Sequence, residues 1–171
     1  MNTKKLIITG KNNVETISDL GDERIKINAL ENEIEHEKAL SLLLDLDKCE
    51  LFTKEDILYK KAKREINDKI NSYKHQDIDK NILSDNLINI HETIEKLVCS
   101  KMKCFYCKKQ IFLIYKFARD NLQWTLDRID NNIGHSNQNT VICCLKCNLE
   151  RRRKSSNAFK FTKQLKICKS I

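Results

Sequence analysis

The sequence predicts an α+β fold: a helical first half, residues 1–98, followed in residues 99–171 by a small unit of strand, loop, strand and helix. Three observations carry this. Apolar residues recur at helical spacing between residues 28 and 98. Two Cys-x-x-Cys pairs, Cys104/Cys107 and Cys144/Cys147, bracket most of the second half. Between the pairs lie short runs rich in β-branched and aromatic residues, separated by a polar loop. The 171 residues suffice for one ordinary domain, or a small domain with an appendage. With no proline and three glycines, no linker marks itself by composition.

Residues 1–27 are indecisive, with 5–9 a candidate short strand and 10–13 a turn. From Asn28 the pattern is helical: Leu30, Ile34, Ala39, Leu40, Leu43 and Leu44 fall near one face, with glutamates opposite. A second helix is expected from Thr53, which caps with Asp56 three residues on, through Leu58, Ala62, Ile66, Ile70 and Tyr73. A third, over 85–98, sets Leu87, Ile90, Ile94 and Leu97 in register. Stripes only a few turns long suit packing on one another or on the core better than a coiled coil; the competing use is a dimerising arm, through which a homodimer would form. No catalytic group is expected in these helices. His36, His75 and His91, set among charged residues, are expected on solvated faces.

Each Cys-x-x-Cys pair puts two thiols on a tight turn, where both sulfurs can reach one ion at a Zn–S distance of about 2.3 Å. Together the pairs make a Cys₄ site for Zn²⁺. Four ligands close its tetrahedral shell, so the ion would hold the fold and take no direct part in chemistry. The 36 residues between the pairs exceed a simple zinc ribbon, which implies something folded between them. Cys143 competes with Cys144 as a ligand, but Cys144 gives the x-x spacing. Disulfides or unrelated buried thiols are the alternatives; Met1-Asn-Thr-Lys-Lys runs into only a few apolar residues before Gly10, so an intracellular, reducing compartment is expected. Cys49, Cys99 and Cys168 stand singly on apolar-patterned stretches and are expected to be buried packing residues.

Inside the clamp, 111–117 and 123–129 read as strands and Asp120-Asn121 as the turn joining them in a hairpin. After a loop of Asn, Gly, His and Ser comes a third strand, 139–143. Residues 145–154 then hold helix formers with no breaker, so the second Cys pair sits at a strand-to-helix junction.

This arrangement resembles the HNH endonucleases, also called His-Me finger or ββα-metal nucleases, in the subgroup with two zinc-binding Cys-x-x-Cys pairs. The matching residues are Leu126-Asp127-Arg128-Ile129-Asp130 on the first strand, Gly134-His135 and Asn139 across the loop, and Cys144-x-x-Cys147-Asn148 opening the helix. They cover about a third of the chain, and their agreement in order makes the likeness specific. The resemblance implies a zinc-stabilised ββα-metal core. It makes Asp127 and Asn148 ligands of a catalytic Mg²⁺ or Mn²⁺, oxygen donors as a hard cation requires, and Asn139 the brace of the loop. It also implies DNA as the partner, and hints at a phage, viral or mobile-element source.

The chain departs from the family where the first strand should end in Asp-His, the His activating water. Arg128 stands there, and a guanidinium with a pKa above about 12 is no base at neutral pH. Family sequences with Asp-Arg here are familiar, so the exchange alone does not mark lost chemistry. His135 is the best substitute, since an imidazole with an ordinary pKa of about 6.5 suits a general base; its bland role is a loop hydrogen bond. Asp130 is a second candidate, as base or as the carboxylate orienting His135, its bland role being an Asx-turn with Asn131 and Asn132. Arg128 would grip the scissile phosphate with its planar fork. The implied reaction is phosphodiester hydrolysis, with the ion polarising a non-bridging oxygen while the base deprotonates an in-line water.

Charge divides where the motifs do. Residues 1–98 carry 16 Lys+Arg against 20 Asp+Glu, and residues 99–171 carry 16 against 4, so halves of net −4 and +12 make up the chain's +8. Arg151, Arg152, Arg153 and Lys154 would flank a bound phosphate backbone, with Lys160, Lys163 and Lys166 extending the patch. Phe159 and Phe161 are expected to pack the last segment back on the core, with base stacking as the lesser alternative. No run approaches the ~18 consecutive apolar residues of a membrane span. Two other readings compete: a non-catalytic zinc module that binds nucleic acid, and a protein-interaction scaffold working through its helices.

Overall fold

The computed structural model describes residues 36–48, 57–82, 86–115, 117 and 119–165. Among them run helices α1 (His36–Lys48), α2 (Ile57–Asp79) and α3 (Ile90–Cys99), strands β1 (Trp124–Arg128) and β2 (Thr140–Cys144), and helices α4 (Leu145–Arg151) and α5 (Ser156–Gln164). The class is therefore α+β. The expectations for residues 1–35, the Thr53–Asp56 cap, Cys49, Lys166 and Cys168 lie outside the described residues, as does the side chain of His36.

Helix α1 buries Ala39, Leu42, Leu43 and Leu46, so its inner face is rotated from the expected one and Leu44 is exposed. Along α2, residues three and four apart share one face. The buried stripe runs Ala62, Ile66, Ile70, Tyr73 and then, one turn further, Asp77.

Helix α3 begins at Ile90, later than the apolar pattern suggested, because Asn89 and Glu92 form a reciprocal cap. The Glu92 N–H donates to Asn89 Oδ1 (3.0 Å) and the Asn89 N–H to Glu92 Oε2 (2.9 Å). The residues just ahead stay extended and pair with the later loop: Leu87 bridges Ser136, and the Ile88 N–H donates to the His135 carbonyl at 2.8 Å.

Among the described residues the expected hairpin between 111–117 and 123–129 does not form. Strand β1 pairs antiparallel with β2, from Trp124 opposite Cys144 to Arg128 opposite Thr140. Phe112 makes a single parallel bridge with Gln123, just ahead of β1. The outer edge of β1 is taken by side chains of α2. Tyr73 Oη accepts from the Leu126 N–H (3.0 Å), and Lys69 Nζ donates to the Trp124 carbonyl (2.6 Å). A helix thereby satisfies the backbone groups that a third strand would have used.

One buried cluster joins the two parts of the chain, taking in Leu43, Ile66, Ile94 and Leu97 from the helices with Trp124, Leu126, Ile142 and Phe159 beyond them. Helix α4 stops at Arg151, three residues short of expectation, where Arg152 turns to φ 51°, ψ −111°. Cys99, expected to be buried, is exposed at the end of α3. Phe159 packs inward, but Phe161 is 67% exposed, against expectation. Among the described residues no helix is long and apolar enough to cross a membrane.

Candidate functional site

The four sulfurs of Cys104, Cys107, Cys144 and Cys147 lie within 4.8 Å of one another and form a cluster that can hold a metal ion. Two local structures bring them together. The first pair sits on a turn in which Cys104 N–H donates to the Lys109 carbonyl (2.8 Å) and Lys108 N–H to that of Cys104 (3.0 Å), and Phe105 N–H ties this turn to the Ile142 carbonyl (2.9 Å). Cys144 ends β2 and caps α4, its sulfur accepting from the Cys147 N–H at 3.5 Å. Cys143 points the other way and is buried, 3.2 Å from Thr125 Oγ1, which settles the competition in favour of Cys144. The thiols influence one another strongly. A hydrogen bond from Cys144 pulls the Cys104 thiol well below its ordinary range, and the same bond pushes Cys144 up. Burial, then the nearby Cys104 charge, raises Cys147. Negative charge on one sulfur thus opposes charge on the next unless a cation lies among them.

Successive residues of a strand face opposite sides, so Asp127 and Arg128 diverge. Asp127 turns toward α4 and α5. Its Oδ1 accepts from Arg151 Nη1 (2.7 Å) and its Oδ2 from the Tyr106 hydroxyl (2.6 Å). Both partners are buried, with Asp127 at 5% exposure and Arg151 at 2%. Burial pushes the Asp127 carboxyl up, and Tyr106 and Arg151 pull it back in part. Arg151 also donates to the Ile129 carbonyl at 2.9 Å. It is thus an internal ion-pair partner, and the expectation that it flanks bound phosphate is corrected. Asn148 uses its Nδ2 on Thr125 Oγ1 (3.2 Å) and the Leu126 carbonyl (3.3 Å), tying α4 to β1. Of the two expected divalent-ion ligands, Asp127 therefore has both oxygens engaged, one of them by a guanidinium, while Asn148 uses its amide nitrogen on β1. As arranged, this pair does not fit a hard divalent cation, which would compete with Arg151 for the same carboxylate.

Arg128 turns toward α2. Its Nη1 lies 3.6 Å from Asp77 Oδ1 and, though buried, makes no hydrogen bond. Asp77 also holds His135: its Oδ2 accepts from the His135 backbone N–H (2.6 Å) and its Oδ1 contacts His135 Nδ1 (2.7 Å). The Tyr73 ring stacks on the imidazole with centroids 4.6 Å apart. Burial lowers the His135 pKa below the usual imidazole range; Asp77 opposes this, while Arg128 and Lys80 add to it.

The loop before β2 is held by Asn139. Its Nδ2 contacts the carbonyls of Asp130 (2.9 Å), Ile133 (3.0 Å) and Gly134 (3.0 Å), and its Oδ1 accepts from the Asp130 N–H (2.9 Å). Asp130 is exposed and folds back on Asn132, accepting from its backbone N–H at 2.9 Å in an Asx-turn. It does not orient His135; Asp77 does. Asp77 was missed because a single Asp in an amphipathic helix reads as surface, yet the stripe 62, 66, 70, 73 places the next core position on it.

Between α2 on one side and β1 and α4 on the other lies a cleft of about 1350 Å³. Arg128, His135, Asp127 and Asn148 line it, as do Arg152, Arg153 and Lys154. The last three are exposed. Of the extended patch, Lys160 lies over the Phe105 ring (4.2 Å to the centroid) and Lys163 pairs with Glu150. Comparison of the chain with family models, with curated proteins and with solved structures finds no match.

Proposed function

We propose that the chain is an HNH-type endonuclease that hydrolyses DNA phosphodiester bonds in this cleft, with Zn²⁺ held by Cys104, Cys107, Cys144 and Cys147. The observation that carries the reading is the meeting of Arg128 and His135 in one cleft beside an exposed basic rim. A planar guanidinium on the lining of the cleft suits a phosphate oxygen. An imidazole whose pKa is depressed is neutral at physiological pH and can accept a proton. Arg152, Arg153 and Lys154 supply phosphate contacts that fix the strand without reading its bases. When bound, zinc supplies a rigid four-way link between the Cys104 turn and the start of α4.

In the reaction, Arg128 holds a non-bridging oxygen and balances charge building on the phosphorus centre. His135 takes a proton from an in-line water, whose oxygen forms the new P–O bond. The opposite P–O bond breaks and the departing oxygen takes up a proton from solvent. Mg²⁺ or Mn²⁺ at Asp127 and Asn148 is implied by the resemblance to HNH nucleases, where it would stabilise charge on the phosphate, but Arg151 engages Asp127. That same ion pair favours a second reading, a non-catalytic zinc-dependent nucleic-acid-binding module, because it gives Asp127 and Asn148 structural reasons to be present.

The test is cleavage of supercoiled plasmid by the zinc-loaded protein, with and without Mg²⁺ or Mn²⁺, beside His135→Ala and Asp127→Ala. Nicking or linearisation by wild type, abolished in His135→Ala, supports the enzyme and its base. Salt-dependent binding with no cleavage under any of these conditions replaces it with the binding module. Absence of salt-dependent DNA affinity removes both and leaves the interaction scaffold.

A further inference from the structure

We propose that Asp77, on the helical half of the chain, is a positioning residue for His135: it fixes the imidazole as the Nδ1–H tautomer and leaves Nε2 as the proton acceptor in the cleft. The inference deepens the proposed hydrolysis and rests on it for its chemical purpose, but the geometry stands by itself. Asp77 is fully buried and meets His135 with both oxygens, Oδ2 accepting from the His135 backbone N–H and Oδ1 facing Nδ1. A carboxylate accepts, so the Nδ1 it faces carries the hydrogen, and the other ring nitrogen is left with its lone pair. The Tyr73 ring, one turn earlier on α2, stacks at 26° to the imidazole and limits its rotation.

The chain makes room for this contact. A Cβ at Gly134 would come within 2.9 Å of Asp77 Oδ2 and 2.6 Å of the Ile82 carbonyl, so only glycine lets the loop backbone lie this close to α2. The Ile88 N–H holds the His135 carbonyl from a third side. Arg128, whose Nη1 lies 3.6 Å from Asp77 Oδ1, lines the same cleft, so one carboxylate lies beside both the phosphate-gripping group and the base. A role as a mere staple between helix and loop would need the backbone bond alone and would be indifferent to which ring nitrogen is protonated.

The experiment is long-range ¹⁵N–¹H NMR of the full zinc-loaded chain, with His135 assigned by comparison with His135→Gln, run beside plasmid cleavage and DNA-binding measurements on Asp77→Asn. In wild type the neutral His135 ring is expected to show a protonated Nδ1 and an unprotonated Nε2; the opposite tautomer overturns the proposal whatever the variant does. In Asp77→Asn the tautomer is expected to shift toward Nε2–H, with the cleavage rate falling by about 10²–10⁴ while affinity for the plasmid is retained, as when the carboxylate orienting a catalytic histidine is neutralised. An unchanged tautomer and unchanged cleavage in this variant sink it. If wild type cleaves nothing, the hydrolytic reading falls, and the wild-type spectrum still decides whether Asp77 sets the ring.

Discussion

Replacing Arg151 by methionine separates the ion pair from the packing around it. Methionine keeps much of the apolar stem and removes the charge, leaving Asp127 with the Tyr106 hydroxyl alone. The two side chains are 2% and 6% exposed and 2.7 Å apart, so the carboxylate cannot turn to water when its partner goes. Breaking a buried pair from one side costs roughly 3–5 kcal/mol, against about 0–1 kcal/mol for an exposed one. For a chain of this size each kcal/mol lowers Tm by about 2–4 °C, so a fall of roughly 6–20 °C is expected for Arg151→Met. The measurement is thermal and guanidinium unfolding with zinc in fixed excess, because loss of the ion within the transition would spoil a two-state treatment. Asp127→Asn combined with Arg151→Met should recover most of the loss, since no charge is then buried alone. A cost of no more than about 1 kcal/mol for Arg151→Met would refute the reasoning. It would mean that Asp127 is free to exchange its partner, and a divalent ion at Asp127 and Asn148 would again be sterically and electrostatically open.

Three further outcomes are expected. Gly134→Ala drives a methyl group against the Ile82 carbonyl, a backbone atom that cannot swing aside; a loss of about 1–3 kcal/mol in denaturant unfolding and a weakened Asp77–His135 contact by NMR are predicted. Stripping the metal with a chelator should unfold the region around the Cys104 turn and α4, seen as lost near-ultraviolet circular dichroism at Trp124 and Tyr106, and added Zn²⁺ should restore it. Burial, helped by Arg128 and Lys80 and opposed by Asp77, lowers the His135 pKa, so the unfolded chain binds this proton first as pH falls. Its contribution to stability is therefore complete above the unfolded value of about 6.5 and is lost as pH drops through the lower folded value; unfolding midpoints of wild type and His135→Gln compared across this range check the sign.

What could be read from the sequence was what chemistry constrains locally. The cysteine cluster was legible because an ion fixes both the residue type and the spacing of its ligands. The junction of β2 and α4 followed from the same spacing, with Cys144 as both ligand and cap. The hairpin failed because the second edge of β1 is occupied by Tyr73 and Lys69, more than fifty residues away, which no local propensity records. Arg151 looked like one of four surface cations in a row. Its register tells otherwise: it lies four residues after the buried Cys147, on the same inward face of α4. Asp77 was hidden in the same way, a charge at a core position whose purpose appears only when the loop bearing His135 is folded against it.

The bonds from α2 to the sheet and loop all reach far along the chain, spanning 53 residues for Tyr73 with Leu126, 55 for Lys69 with Trp124 and 58 for Asp77 with His135. Contacts of such separation form late in folding and open early, because loop closure must come before they reward it. The clamp and the strand pair can thus exist before the imidazole is set. Docking of α2 is then a late step, after which the His135 ring is first held in place. Slower amide exchange at Leu126 and His135 than along the Cys104 turn would contradict that order.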